Sequence, residues 1–229
     1  SAKLNERKVD FRVSTFPTYF GEKVVIRILD QENGIKKLSE LGISNLNLEK
    51  IKKAITQPYG LILISGPTGS GKSTTLHSAL KIVSVAHKNV VTIEDPVEYI
   101  VPGITQIPVH DANDAGFAVQ LRAVIRQDPD IIMVGETRDV ETARISVQAA
   151  LTGHLVFSTI HATDAVGAIY RLLQMDIEPH LLASAFRGAI SQRLIRRVCQ
   201  NCATSYQPTL AEKQIMKLHN LSSNELKHG

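Results

Sequence analysis

Tryptophan is absent from the 229 residues, and aromatic side chains make up only 5% of them. A surface that stacks nucleic-acid bases needs aromatic residues among basic loops, and no such cluster occurs. No apolar run reaches about 18 residues, so no membrane-spanning helix is expected. Ser1 to Asp10 is charged and has no apolar h-region, so no signal peptide is expected there either. Cysteine occurs twice, as Cys199 and Cys202 in a single CxxC, a pair that cytosolic chains rarely use as a structural disulfide. There is no internal repeat and no low-complexity segment. The first residue is not Met, and the chain is expected to be part of a longer polypeptide. What is present is 43% hydrophobic residues, enough for a core, and a formal charge of +4, compatible with anionic partners.

The most informative stretch is Leu61 to Leu80. Its centre, Gly66-Pro67-Thr68-Gly69-Ser70-Gly71-Lys72-Ser73-Thr74, fits the phosphate-loop template of Gly, four residues, Gly-Lys-Ser/Thr. Leu61 to Ile64 precedes it as a buried strand, and a helix is expected from Lys72 to about Ala86. Glycines let such a turn take positive φ and close around an anion with its N–H groups. The helix N-terminus faces the same anion. In this arrangement Lys72 reaches the β- and γ-phosphates of ATP and the Ser73 hydroxyl holds Mg²⁺. A glycine-rich turn that binds nothing is the competing reading. The order of strand, loop and helix disfavours it.

Val9 to Thr15 and Lys23 to Leu29 read as two strands separated by Phe16 to Gly21. Asp30 to Lys37 reads as a polar linker, and Asn47 as the cap of a helix with Leu48, Ile51, Ala54 and Ile55 on one face. Strands at Val90–Ile93, Ile131–Val134 and Leu155–Ile160 then alternate with helices. The helices run over Phe117–Gln127, with Phe117, Leu121, Val124 and Ile125 inward, from Asp139 to Gly153, from Asp164, and from Pro179. This alternation predicts a parallel α/β sheet. Residues from Ala203 on form a polar tail, helical over Leu210–Leu218.

In open α/β sheets ligands bind beyond the carboxyl ends of the strands. Here those ends carry the phosphate loop, Glu94-Asp95-Pro96-Val97-Glu98, Gly135-Glu136-Thr137-Arg138, and His161. Glu136 is the candidate for polarising attacking water. Glu94 and Glu98 are candidates for the metal and nucleotide site, although one of them could serve only to cap the turn at Pro96. His161 could be a γ-phosphate sensor or a structural histidine, and His154 a site residue or a helix-end contact. Arg122 and Arg126, one turn apart, form either a functional or a solvated face.

Together with Asp10 to Thr15, Gly21 to Arg27, Arg126 to Glu136 and Thr152 to His161, these motifs resemble the secretion-superfamily ATPases of type II secretion and type IV pilus assembly. The likeness runs from about Val9 to Cys202. It implies a RecA-like core in which the glycine loop is a Walker A motif, Glu94 to Glu98 an aspartate box, Gly135-Glu136 the end of a Walker B motif, and His154 with His161 a histidine box. It also implies that Arg12 and Arg27 reach the nucleotide phosphates. Family members work as cytoplasmic homo-hexamers at the bacterial inner membrane. There they act through a platform protein and other secretion or pilus components, turning ATP hydrolysis into pilin or pseudopilin assembly. The implied division is 1–30 as the last strands of a preceding domain, 31–37 as linker, 38–198 as the ATPase domain, and 199–229 as a partial zinc-motif region with a helical tail. Relatives often bind zinc through two CxxC pairs. Cys199 and Cys202 supply one, so zinc is expected only in a longer chain, with His180 or His219 as the candidates to complete a site here. The rival reading is a ring-shaped nucleic-acid translocase with the same core, which the scarcity of aromatics disfavours.

Overall fold

The computed structural model describes residues 2–4, 7–30, 35–84, 87–109, 116–199, 201–219, 221 and 226–228. It divides into two compact units, Ser1–Arg193 and Leu194–Gly229. The larger unit begins with an antiparallel sheet of β1 (Ala2–Leu4), β2 (Arg7–Thr18) and β3 (Gly21–Asp30). The strands of this hairpin are longer than the sequence reading allowed. Phe16, Pro17 and Thr18 continue β2, and only Tyr19 and Phe20 form the turn, closed by Thr18 Oγ1 donating to the Gly21 carbonyl at 2.6 Å. Pro17 is tolerated because β1 pairs only with Arg7 to Val9, so the outer edge of β2 at Pro17 needs no N–H. Of the linker, residues 31–34 lie outside the described residues. Its end is fixed, since Ser78 Oγ donates to the Lys36 carbonyl at 2.7 Å.

A short 3₁₀ turn at Leu38–Glu40 leads to α1 (Asn45–Ile55). Its N-cap is Ser44, not Asn47, which lies inside the helix; the turn begins three residues earlier because Leu48 must face inward with Ile51 and Ile55. Then follow β4 (Gly60–Ser65), α2 (Lys72–Val83), β5 (Val90–Glu94), β6 (Thr105–Pro108), α3 (Phe117–Ile125), β7 (Ile131–Val134), α4 (Val140–Leu151), β8 (Leu155–Ile160), α5 (Ala165–Gln174), α6 (Pro179–Ala185) and β9 (Phe186–Ser191). The expected extension of α2 to Ala86 falls partly on residues 85–86, outside the described residues; the described helix ends at Val83. Three helix starts match their sequence signals. Asp139 accepts from Thr142 N, Asp164 accepts from Gly167 N, and Pro179 occupies the first turn of α6.

Six strands form one sheet in the order β6-β5-β7-β8-β4-β9, with every pairing parallel. β6 and β9 had no strand signal. Both are edge strands, and β9 carries Arg187 and Gly188, with the Arg187 guanidinium 5.0 Å from the centre of the Tyr59 ring. Period-two alternation divides the apolar strand residues between two cores. Ile62, Ile64, Val90, Ile131, Met133 and Phe157 pack with α1 and α2. Leu61, Leu63, Val91, Ile132, Val134 and Val156 pack with α3 to α6. The smaller unit holds β10 (Thr204–Tyr206) paired antiparallel with β11 (Leu226–His228), and α7 (Leu210–Leu218) capped by a reciprocal Thr209–Glu212 box.

Phe157 is fully buried in β8, where the sheet meets the α1/α2 core. Phe157→Ala is expected to lower unfolding free energy by ~3–5 kcal/mol, the cost of emptying a large aromatic site. Urea denaturation followed by circular dichroism measures it, and a loss under ~1 kcal/mol would contradict this account of the core.

Candidate active site

Because all six strands are parallel, their carboxyl ends share one edge, and the loops there enclose a cavity of 640 Å³. The phosphate loop supplies Thr68, Gly69, Gly71, Lys72, Ser73 and Thr74 to its wall; Gly66, Pro67 and Ser70 complete the loop without lining it. Gly66, Gly69 and Gly71 take φ of 141°, 77° and 85°, the left-handed region that glycine alone enters without strain. The Lys72 ammonium donates to the Gly66 and Pro67 carbonyls at 2.9 and 3.0 Å. Burial lowers its pKa, and the Glu136 carboxylate partly restores it.

Glu136 follows β7 and lines the cavity. Its backbone neighbours are held on both sides. Gly135 N donates to Ile93 O at 2.8 Å, Thr137 N to Thr159 O at 2.8 Å, and Thr159 Oγ1 to Gly135 O at 2.7 Å. The Thr137 and Ser158 hydroxyls, both buried, lie 2.8 Å apart. Glycine suits position 135, since a Cβ would stand a tight 3.1 Å from the Ile93 carbonyl oxygen. The Glu136 carboxylate pairs with Arg138 and has His161 Nε2 at 3.8 Å.

Glu94 and Glu98 both line the cavity but differ in kind. Glu94 is buried, and its Oε1 accepts from Thr92 Oγ1 at 2.6 Å and Gln106 Nε2 at 2.9 Å. Its Oε2 lies 3.2 Å from His77 Nε2, off the line of a hydrogen bond. His77 stands one turn after Ser73, and its Nδ1 faces the Ser73 carbonyl at 2.8 Å. Gln106 also donates to Tyr99 O at 2.8 Å and accepts from Val101 N at 2.7 Å, tying the loop after β5 to the same carboxylate. Glu98 is half-buried. Burial pulls the His77 pKa down, but the Glu94 carboxylate outweighs it and leaves it raised. Burial pushes Glu94 up, but His77, Thr92 and Gln106 outweigh it and leave it lowered. Both shifts favour the charged forms of the pair.

Arg27 reaches the cavity from β3. Arg12 sits directly across the ladder from it without lining the cavity. His161 lines the cavity, whereas His154 lies at the opposite end of β8, with its Nδ1 2.9 Å from the Ala149 carbonyl at the end of α4. Arg122 pairs with Glu141, an exposed contact outside the cavity. Cys199 and Cys202 are exposed thiols, and no group of three or more metal-ligating side chains assembles among the described residues. His180 pairs instead with Glu178 at 3.4 Å. Sequence reasoning missed His77 and Gln106 as members of this site, and placed Arg138 at the strand end without a role. For His77 the signal was available: a histidine one turn past the phosphate-loop serine, on the inward face of α2.

The chain's motifs and cavity agree with what it is similar to. The Type II/IV secretion system protein family matches residues 1–228. Type II secretion system protein HxcR of Pseudomonas aeruginosa is 54% identical over 196 residues, covering 86% of this chain and 42% of the relative. Type IV pilus assembly ATPase PilB of Thermus thermophilus is 52% identical over 200 residues, covering 87% of this chain and 22% of the relative. The crystal structure of the pilus retraction motor PilT with bound ADP superposes with a TM-score of 0.69 at 31% identity, over 93% of this chain and 67% of that one. The chain thus spans less than half the length of the two curated relatives. The core has a RecA-like form.

A raised His77 pKa contributes stability that is fully present below the ordinary value of 6.5 and lost as pH climbs through the folded value. A lowered Glu94 pKa contributes stability present above 4.5 and lost as pH falls through its folded value. The stability gap between wild type and His77→Gln is expected to be widest between those two ordinary values. Denaturant titrations across pH check this, and a gap that is flat or grows above neutrality would break the ion-pair assignment.

Proposed function

The chain belongs to the Type II/IV secretion system protein family, and from that premise we propose that it is the nucleotide-hydrolysing part of a motor for pilin or pseudopilin filaments. The observation that carries this reading is the single cavity that joins Lys72, Ser73, Glu98, Glu136, His161 and Arg27. Such a set can hold a triphosphate and activate water. Lys72 supplies charge to the phosphates, and the loop N–H groups bind their oxygens. Glu136, fixed between β5 and β8, orients water and accepts its proton. Glu94, occupied by His77, Thr92 and Gln106, positions the loop that presents Glu98. The hard oxygen donors of Ser73 and the carboxylates suit Mg²⁺, which when bound neutralises charge on the phosphates.

Arg12 and Arg27 are directly opposed cations, an arrangement that destabilises a bare ladder. Anionic phosphate offsets that repulsion, and Arg27 already lines its own chain's cavity. The reading extends to a preceding domain ending in β3, a linker at 31–37, a hexameric ring acting on a membrane platform protein from the cytoplasmic side, and zinc bound only when further ligands join Cys199 and Cys202. Among the described residues no helix is long and apolar enough to cross a membrane.

Lys72→Ala is expected to abolish ATP binding. Glu136→Gln is expected to retain it while cutting turnover at least about a hundredfold, the scale of losing a positioned base. Calorimetry and phosphate release test both, and near-normal turnover of Glu136→Gln would remove that residue from the mechanism.

Arg27→Ala is expected to slow hydrolysis by about 10³-fold, the lower end for an arginine that neutralises transition-state charge, with ATP binding weakened less than about tenfold. Because Arg27 lines its own chain's cavity, mixing Arg27→Ala with Lys72→Ala chains should restore no activity. Recovery in the mixture would assign the arginine to a neighbouring subunit.

A further inference from the structure

One residue outside the cavity touches both the end of β4 and the phosphate loop that follows it. Gln192 follows β9 directly. Its backbone N donates to the Ser65 carbonyl at 3.0 Å, and its side-chain Nε2 donates to the Ser70 carbonyl at 2.6 Å. Gln192 does not itself line the cavity, whereas Gly71 and Lys72 do. We propose that Gln192 is a positioning residue that aims the N–H groups of the phosphate loop.

In a trans peptide the C=O and the following N–H point in opposite directions, and the cis bond found among the described residues is Asp95–Pro96. Holding the Ser70 oxygen on the Gln192 side therefore turns the Gly71 N–H away from Gln192, toward the face that lines the cavity. Holding the Ser65 oxygen fixes the Gly66 N–H in the same way. Both following residues are glycines with positive φ, whose peptide planes have little steric restraint of their own. The clamp supplies the restraint that a side chain would otherwise give. Both glycines also leave the room it needs. A Cβ on Gly66 would fall 2.3 Å from the Gln192 carbonyl oxygen, and one on Gly71 would fall 3.2 Å from Nε2. Anion binding by such a loop depends on N–H groups that already converge, because each group left to reorient weakens the bound state.

This inference rests on the reading of the loop as a nucleotide site and adds the residue that pre-orients it. The test uses the full chain with Gln192→Met, which keeps the length and removes the donor, and Gln192→Glu, which sets an acceptor against the Ser70 carbonyl. Two quantities are read: amide hydrogen exchange over residues 65–73 without nucleotide, and affinity for ADP by calorimetry. Expected are faster exchange confined to the loop in both variants, ADP binding weakened about fivefold in Gln192→Met, and about tenfold or more in Gln192→Glu, the scale of a lost and of a reversed hydrogen bond. Folded variants with unchanged loop exchange and unchanged ADP affinity would overturn the proposal. So would equal losses in both variants that track a lower melting temperature, since that pattern assigns Gln192 to fold stability alone. Loop exchange that responds to both substitutions, when the wild-type chain itself binds no ADP, would uphold the clamp and reject the nucleotide reading.

Discussion

A strand covered by helices on both faces has no place for an unpaired charge along its length. β4, β5, β7 and β8 are buried at every residue, so the chemistry-bearing groups can gather only where these strands stop. Parallel pairing places all the stops on one edge. The cavity, its glycine loop, its carboxylates and its imidazole follow from that constraint. The few polar groups within the strands, Ser65, Thr92, Glu94, Ser158 and Thr159, lie near the carboxyl ends and are hydrogen-bonded.

Two layers of organisation result. Lys72, Glu98, Glu136 and Arg27 line the cavity. Glu94 lines the cavity as well, but it is tied to three elements: α2 through His77, β6 through Gln106, and its own strand through Thr92. A buried carboxylate with these partners acts as a joint: it links the helix that starts at the phosphate loop to the loop that carries Glu98. Removing either member of the His77–Glu94 pair leaves a buried charge uncompensated, which costs more than the pair itself contributes.

The sequence was most legible where a single residue type settles local geometry. Asp139, Asp164 and Pro179 mark helix starts, and the four apolar runs mark the central strands. The glycine loop was legible for the same reason, since three glycines and a lysine at fixed spacing admit few backbones. Edge strands were not. β9 contains Arg187 and Gly188, and its strand state depends on one neighbour, β4, far away in sequence. The hairpin turn was misjudged because the effect of Pro17 depends on whether β1 extends far enough to demand its N–H. The buried partners of Glu94 were equally hidden: His77 and Gln106 lie on separate elements, and only the packed sheet makes them neighbours.

The order of strands also governs how the protein can be made. Among the described residues β4, which launches the phosphate loop, pairs with β8 and β9 and with no strand that comes sooner. During synthesis this apolar strand emerges long before either neighbour exists. It waits with both edges unpaired while the chain adds two more helix–strand units, and closing so long a loop is slow. Within that interval β4 is the segment most exposed to pairing with another chain. A ribosome that stalls before β8 would release a polypeptide with its nucleotide motif intact in sequence and absent in structure, a natural client for chaperones.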